Sequence, residues 1–494
     1  MTEHLFDPDR LLNRAFTRAT GSHPIGGNAL RLLRDAQENY PAWLAAIAAA
    51  RRWIHFESYI IHSDRIGRTF ADALAARAGD GVHVSVLYDW WGARGATHSA
   101  FWRRLRGAGV DVRCFNPPLF DSPLGWVRRD HRKMLAVDGR VAFVTGLCVG
   151  DAWVGDPDRG LEPWRDTGVQ LEGPAVAEVE RAFADTWSTA GPPLSPDEQP
   201  GLAAIRPAGD MTVRVIATVP NLAGLLRLDQ VIAEEARRTL WLTDAYFVAT
   251  TLYVQALRAA ARDGVDVRVL VPGATDIPGL RAVSRAGYRS LLEAGVRVFE
   301  WNGPMLHAKT AVADGRWARV GSSNLNPVSW LGNWELDVAI EDRRFAEAME
   351  AMYIDDLRNA TEIELGAHQR VRSISPPPRR PHRRRGTKRI SRATAGALGI
   401  GSAVGAAAAS RRPLGPAEAK LLGGAGLLLL VLIAAGLWWP RLVVVPLSVA
   451  GGWVAVSLLT MAFRLHRHMG GTPASPVSAV AERARRHDRP GGVD

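Results

Sequence analysis

Two stretches of this 494-residue chain place a histidine and a lysine two positions apart, with an aspartate five residues after the lysine. They are His131-Arg132-Lys133 with Asp138, and His307-Ala308-Lys309 with Asp314. On a β-strand this spacing sends the imidazole and the ammonium from one face, leaving Met134 and Ala136, or Thr310 and Val312, for the core on the other. An imidazole attacks phosphorus or carries a proton near neutral pH, and a neighbouring lysine neutralises non-bridging phosphoryl oxygens. A single copy arises easily by chance. Two copies supply one nucleophile and one acid.

The elements that must hold these groups repeat as well. Ile54-His55-Phe56-Glu57-Ser58-Tyr59 is mirrored by Leu240-Trp241-Leu242-Thr243-Asp244-Ala245-Tyr246, and Gly81 to Leu87 by Gly264 to Leu270. Each half therefore reads strand, helix, strand, further helix, motif strand, which is an α/β layout. Gly191-Pro192-Pro193-Leu194-Ser195-Pro196 breaks the pattern. The expected organisation is an N-terminal segment 1–25, repeat one at 26–190, a linker at 191–211 and repeat two at 212–365.

These strings resemble the phospholipase D superfamily, and within it the bacterial cardiolipin synthases, over most of residues 26–365. The resemblance rests on the duplicated motif, on Gly321-Ser322-Ser323-Asn324-Leu325-Asn326 followed by Asn333-Trp334-Glu335, and on Trp164-Arg165-Asp166-Thr167-Gly168-Val169. It implies two phospholipase D-like repeats, each a mixed β-sheet flanked by helices, apposed as a pseudo-twofold pair with the site between them. It also implies chemistry without metal or cofactor. His131, by family precedent, attacks the phosphodiester and carries a phosphatidyl group, while His307 protonates the leaving alkoxide; the two roles are exchangeable. Lys133 and Lys309, with Ser322 and Asn324, are expected on the phosphoryl oxygens. Asp166 and Glu335, 35 and 28 residues downstream of the two histidines, are candidates to orient the second ring nitrogen, or else ordinary ion-pair partners. Asp138 and Asp314 complete the catalytic motif and are expected to hold its loop rather than to carry protons.

Two positions depart from the family pattern. Cys148 stands after Gly146 where an asparagine is usual, and Asn326 replaces a common aspartate. Cys148 is either an inert small residue or a thiol that tunes the first half of the site.

Composition narrows the class. Cys114 and Cys148 are the only cysteines, which argues against a disulfide framework or a cysteine-rich zinc site. The net charge of +11 suggests a polyanion partner until it is divided: residues 371–494 hold 19 Lys/Arg against 4 Asp/Glu, and residues 1–370 hold 42 against 46. A body of net charge −4 counts against a nuclease, although local basic patches can lie within a neutral total, and no nucleic-acid partner is expected.

The basic excess lies in the tail. A Pro/Arg-rich linker (366–420) suits anionic headgroups. Leu421–Trp439 and Leu442–Phe463 are uncharged runs long enough to cross a core of about 30 Å. Flanking arginines place both ends of that transmembrane hairpin (421–463), and the basic tail 464–494, in the cytosol. The segment 393–410 is read as flexible or interfacial, with a third span as the alternative. Met1 to Pro8 carries no leader pattern, so the catalytic body is expected on the cytoplasmic side of a bacterial inner membrane. The apolar stretch Phe115 to Trp126 either lines an acyl-chain entrance or packs between the lobes. The expected activity is transfer of a phosphatidyl group from phosphatidylglycerol to a second phospholipid. Hydrolysis to phosphatidic acid is the alternative, ahead of a nuclease or a non-catalytic lipid binder.

Overall fold

Helices Arg65–Gly79 and Thr251–Arg262 end one or two residues before Gly81 and Gly264, which have φ of +85° and +93°. Glycine takes that left-handed turn without a Cβ clash, so the chain reverses there and enters an apolar run as a strand. The same device in both halves delivers matching strands. The computed structural model describes residues 8–118, 128–248, 250–277, 280–366 and 370–373, with scattered positions between 427 and 459.

In the first half the strands are β1 (Ile25–Arg34), β2 (Trp53–Ser58), β3 (His83–Asp89), β4 (Asp111–Phe115), β5 (Arg129–Asp130), β6 (Lys133–Val137), β7 (Val141–Thr145) and β8 (Thr167–Glu172). Leaving out the short β5, they pair in the order 4-3-2-6-7-8-1, with β2, β3 and β4 mutually parallel and the rest antiparallel. The second half contributes β9 (Met211–Thr218), β10 (Thr239–Thr243), β11 (Asp266–Pro272), β12 (Arg297–Trp301), β13 (Thr310–Ala313), β14 (Trp317–Gly321) and β15 (Asn333–Glu341). Their order, 12-11-10-13-14-15-9, is the same, and β16 (Ala360–Gly366) and β17 (Arg370–Ser373) extend it beyond β12. β1 joins the halves: Ala29 to Arg34 pair with β8, while Ile25 and Asn28 pair with β9. The result is a large mixed sheet of α/β type, repeated once.

Three cores hold it. Ile54, Phe56 and Phe143 face Trp43 and Phe70 on the outer side of the first half, and Leu240, Leu242 and Val269 face Tyr253 and Leu257 on that of the second. The third core lies between the halves, where Met134, Ala136 and Val144 meet Val215, Val320 and Leu336 under helices Val176–Thr189 and Arg343–Leu357. β6 and β13 are therefore buried on both faces, as central strands of a covered sheet are.

The expected hairpin at 421–463 falls outside the described residues apart from isolated helical positions, and among the described residues no helix is long and apolar enough to cross a membrane. Most of the linker 366–420, all of the tail 464–494 and residues 119–126 of the 115–126 stretch also lie outside them.

Candidate functional site

The motif histidines do not sit on a strand, as their spacing suggested. His131 lies between β5 and β6, and His307 precedes β13; Lys133 opens β6, and Lys309 immediately precedes β13. Each lead-in is extended because it is hydrogen-bonded to the opposite half. Arg129 and Asp130 run parallel to Asn333 and Trp334, and the His131 N–H donates to the Trp334 carbonyl at 2.9 Å. Correspondingly, Leu306 bridges Arg165 in parallel, and the His307 N–H donates to the Arg165 carbonyl at 2.7 Å. His131 and His307 are 9% and 5% exposed, so each ring presents little more than an edge.

The acidic partners pair crosswise. The His131 Nδ1–H donates to Glu335, 2.9 Å from Oε2, and the His307 Nδ1–H donates to Asp166 Oδ2 at 2.7 Å. Each histidine is thus oriented by the acid that follows the other motif. The proton on Nδ1 leaves Nε2 with the lone pair, as a nucleophile or proton carrier requires. Both acids are locked in turn. Glu335 accepts from Ser322 Oγ at 2.6 Å and from Asn333 Nδ2 at 3.1 Å, while Asp166 accepts from Trp153 Nε1 at 3.0 Å and from the Thr167 N–H at 2.9 Å.

Two buried arginines stitch the halves behind these pairs. Arg132 donates to the carbonyls of Glu335 (3.1 Å), Ala182 (2.6 Å) and Thr218 (3.4 Å), and to Thr186 Oγ1 (2.6 Å). Arg165 makes a bidentate pair with Asp356, both contacts 2.8 Å, on the last helix of the second half.

The remaining site residues divide. Lys133 and Lys309 each donate to the carbonyl of their own histidine. Their ammonium groups lie 5.3 Å from the ring centre of Tyr59 and 5.8 Å from that of Tyr246, and those rings stand edge-on to His131 and His307 at 5.0 and 5.9 Å. Ser322, anticipated on the phosphoryl group, spends its proton on Glu335 and accepts the Leu336 N–H at 2.9 Å, so here it positions the acid. Asn324 keeps a buried Oδ1 without a protein partner. Cys148 is buried in the outer core of the first half, and burial raises its thiol pKa, so it stays protonated and inert.

Asp138 and Asp314, grouped with the catalytic set by the motif, lie at the far ends of β6 and β13. Each starts an Asp-Gly turn at positive φ, +57° and +55°. Asp138 accepts from the N–H groups of Arg51, Arg52 and Trp53 at 2.8 to 2.9 Å, and Asp314 from those of Arg237, Arg238 and Thr239 at 2.7 to 2.9 Å. They pin the hairpin and the start of the neighbouring strand.

Burial and like charge dominate the electrostatics. Burial, then Lys309, pull the His307 pKa down to about 3 against the opposing pull of Asp166; burial also lowers that of His131, with Glu335 opposing. Lys309 falls to about 8 through burial, with Lys133 adding to the fall. Although burial disfavours their charge, the histidine and lysine partners hold Asp166 and Glu335 below the ordinary carboxylate range. Each lysine acts on both histidines, which marks one shared site whose two ammonium groups are matched by the two buried carboxylates. The two ammonium groups suit the oxygens of a phosphodiester. Beneath the motifs, buried Glu57 and Asp244 are both raised to about 7 by burial.

Tyr59 and Tyr246 were detectable, since each closes one of the mirrored strings. Arg132 and Trp153 carried no such signal, since the position matching Arg132 in the other motif is Ala308, and Trp164 and Asn333 stood in the strings that carry the resemblance without a role; the tryptophans reach His307 only through tertiary packing, at 5.7 and 5.8 Å.

A sheet repeated once, with a His-Lys pair from each half at the junction, defines the phospholipase D-like class. A family model described as "Cardiolipin synthase, PLD-like domain" matches residues 230–357. Cardiolipin synthase A of Pseudomonas putida (strain GB-1) is 34% identical over 360 residues, covering 71% of this chain and 73% of its own. Cardiolipin synthase of Alkalihalophilus pseudofirmus is 32% identical over 354 residues, 70% and 69% of the two chains. The crystal structure of phosphatidylserine synthase from Haemophilus influenzae Rd KW20 shares the fold, with a TM-score of 0.57 at 15% identity over 71% of this chain and 92% of that one. The chain belongs to the cardiolipin synthase family of the phospholipase D superfamily, and it is an enzyme of the phosphatidyltransferase type.

Proposed function

We propose that the protein joins two phospholipids into cardiolipin, with phosphatidylglycerol as donor. The observation that carries this reading is the pair of crossed His–carboxylate contacts, which leaves two Nε2 atoms, one from each half, in a field set by two lysines.

In the first step His131 Nε2 attacks the donor phosphorus, forming an N–P bond as the bond to the glycerol oxygen breaks. His307 gives its Nε2 proton to the departing alkoxide, and glycerol leaves. In the second step His307 takes the proton of the acceptor hydroxyl, whose oxygen attacks phosphorus and displaces His131. Lys133, Lys309 and the Asn324 amide stabilise charge on the phosphoryl oxygens. The empty site keeps His307 neutral; an anionic phosphodiester between the lysines offsets the field that expels its proton, so substrate binding and protonation of the acid go together.

The tail supports membrane tethering. Its helical positions Leu427, Leu430, Val445, Val449 and Leu459 expose apolar side chains, and the flanking arginines favour cytosolic ends. The catalytic body then works at the cytoplasmic face. Mass spectrometry of products from full-length protein in phosphatidylglycerol vesicles, with and without phosphatidylethanolamine, tests the proposal. Cardiolipin with released glycerol is expected; phosphatidic acid as the main product overturns transfer in favour of hydrolysis.

A further inference from the structure

Among the described residues of the catalytic body, six large apolar side chains are exposed: Leu161, Leu202, Leu222, Leu252, Leu331 and Ile354. Four of them cluster at one end of the sheet, and it is the end that carries the histidines. Leu161 lies on the loop entering β8, and Leu331 lies in the corresponding place ahead of β15; these are the segments that bring in Asp166 and Glu335. Leu222 follows β9, whose last residue, Thr218, pairs with Glu335, and the Asn221 N–H donates to the Leu331 carbonyl at 3.0 Å, so the loop bearing Leu222 touches the helix end bearing Leu331. Leu252 follows β10, whose last residue, Thr243, pairs with Thr310 directly after Lys309. The loop bearing Leu161 continues into Trp164, 5.8 Å from the His307 ring.

These side chains are 57% (Leu161), 57% (Leu222), 63% (Leu252) and 46% (Leu331) exposed; Leu161 and Leu222 stand on loops, Leu252 in the first turn of helix Thr251–Arg262 and Leu331 at the end of helix Pro327–Leu331, all places where a polar residue would fit as well. One exposed leucine needs no explanation, whereas a set confined to one end of the fold marks a contact surface. Both halves contribute to it, so the leucines bracket the cleft instead of forming a patch beside it.

We infer that Leu161, Leu222, Leu252 and Leu331 form an apolar rim that enters the bilayer surface around the active-site mouth. The occupant is a phospholipid bilayer, and this rests on the proposed function. A donor whose phosphodiester must reach histidines only 5–9% exposed cannot bring its acyl chains through water. A rim seated at the headgroup level lets the headgroup enter the cleft while the chains stay in the membrane. The rim is separate from tail anchoring: the tail would tether the body, and the rim sets how the mouth meets the bilayer.

The test uses the full chain with Leu161→Ser, Leu222→Ser, Leu252→Ser and Leu331→Ser combined; all four are exposed, so an unchanged melting temperature is expected. Turnover on phosphatidylglycerol vesicles should fall at least tenfold, mainly as a raised KM. Turnover of a short-chain phosphatidylglycerol kept monomeric should stay within twofold of the parent. An equal loss on both substrates, or no loss on vesicles, overturns the rim. A second measurement does not depend on activity. An environment-sensitive dye at Leu331→Cys, in a Cys114→Ser background, should be quenched by brominated lipids in reconstituted vesicles, whereas the same dye at the exposed linker position Leu202→Cys should not. Equal quenching at both sites, or a lower oligomer mass of the four-leucine variant in detergent with no quenching at Leu331→Cys, overturns it in favour of tail anchoring alone or a contact between copies. Failure of the parent to turn over either substrate would instead count against the proposed function, and the quenching result would still judge the rim.

Discussion

The two halves of the site share a backbone and differ in what supports the chemistry. β7 and β14 correspond, because Thr145 faces Gly168 as Gly321 faces Asp337; Gly146 therefore matches Ser322, Cys148 matches Asn324, and Asp166 matches Glu335. At Gly146 a Cβ would stand 2.2 Å from Asp166 Oδ1, so the absence of a side chain there makes room for the shorter acid. In the other half a serine fills the same position and donates its hydroxyl to the longer acid. Only the second half offers an amide, from Asn324, and only the first motif sends an arginine, Arg132, across the junction. Duplication has kept what aims the imidazoles and released what tunes them. The two histidines therefore have matching backbone geometry and different surroundings.

The largest effect that breaks this equality comes from the histidines themselves. His131→Ala and His307→Ala should each lower transfer by roughly 10³-fold or more, since one removes the nucleophile and the other a proton carrier. A donor with 4-nitrophenol in place of glycerol separates them, because that leaving group departs without a proton. Burst release of nitrophenol should return in His307→Ala and stay absent in His131→Ala. The reverse pattern would exchange the roles.

A middle-sized effect comes from the crossed acids. Glu335→Gln and Asp166→Asn should each lower kcat by about 10- to 100-fold while the fold persists, as expected when an orienting carboxylate is neutralised. The pH profile shows which histidine each serves. Asp166 opposes the burial that lowers His307, so its loss lowers that pKa further, and activity, which needs protonated His307, should begin to fail at lower pH on the alkaline side. Glu335 likewise opposes the burial that lowers His131, so its loss should extend the neutral nucleophile to lower pH on the acid side. Both limbs move down, each in a different variant. If each acid served its own motif, the limbs would move in the opposite variants.

Repetition explains how much of this could be read from residues alone. The H-x-K-x4-D pattern, the matching strand strings and the glycine-led turns are local, and they give the α/β order and the two His-Lys pairs directly. The crossing of Asp166 to His307 and Glu335 to His131 is not local, because it depends on parallel pairing between lead-ins more than 100 residues apart, His307 with Asp166 at 141 and His131 with Glu335 at 204. The strand placement failed for a related reason. His131 and Lys133 do alternate in extended chain, but the ladder that extends His131 belongs to Trp334 of the other half, not to a strand of its own. Ser322 misled because its residue type suits a phosphate as well as a carboxylate, and only the fold decides which lies nearer.

The smallest effect on activity should come from the motif aspartates, and it is the sharpest test of what the repeat preserved. Asp138→Ala removes the acceptor of three backbone N–H groups and puts an alanine in a left-handed conformation that aspartate tolerates better. The cost should be about 1–3 kcal/mol, since the amides are part-exposed and water replaces some of the bonds. Asp314→Ala has the same three bonds to lose and should cost about as much. Asparagine keeps the conformation but puts a donor where one oxygen accepted, so Asp138→Asn should fall between parent and alanine. Differential scanning calorimetry reads the order, with transfer rate per folded molecule measured on the same samples. Melting points lowered by a few degrees with the rate held within about twofold assign both aspartates to the turn. A rate loss comparable to that of the histidine variants, at an unchanged melting point, would return them to the chemistry.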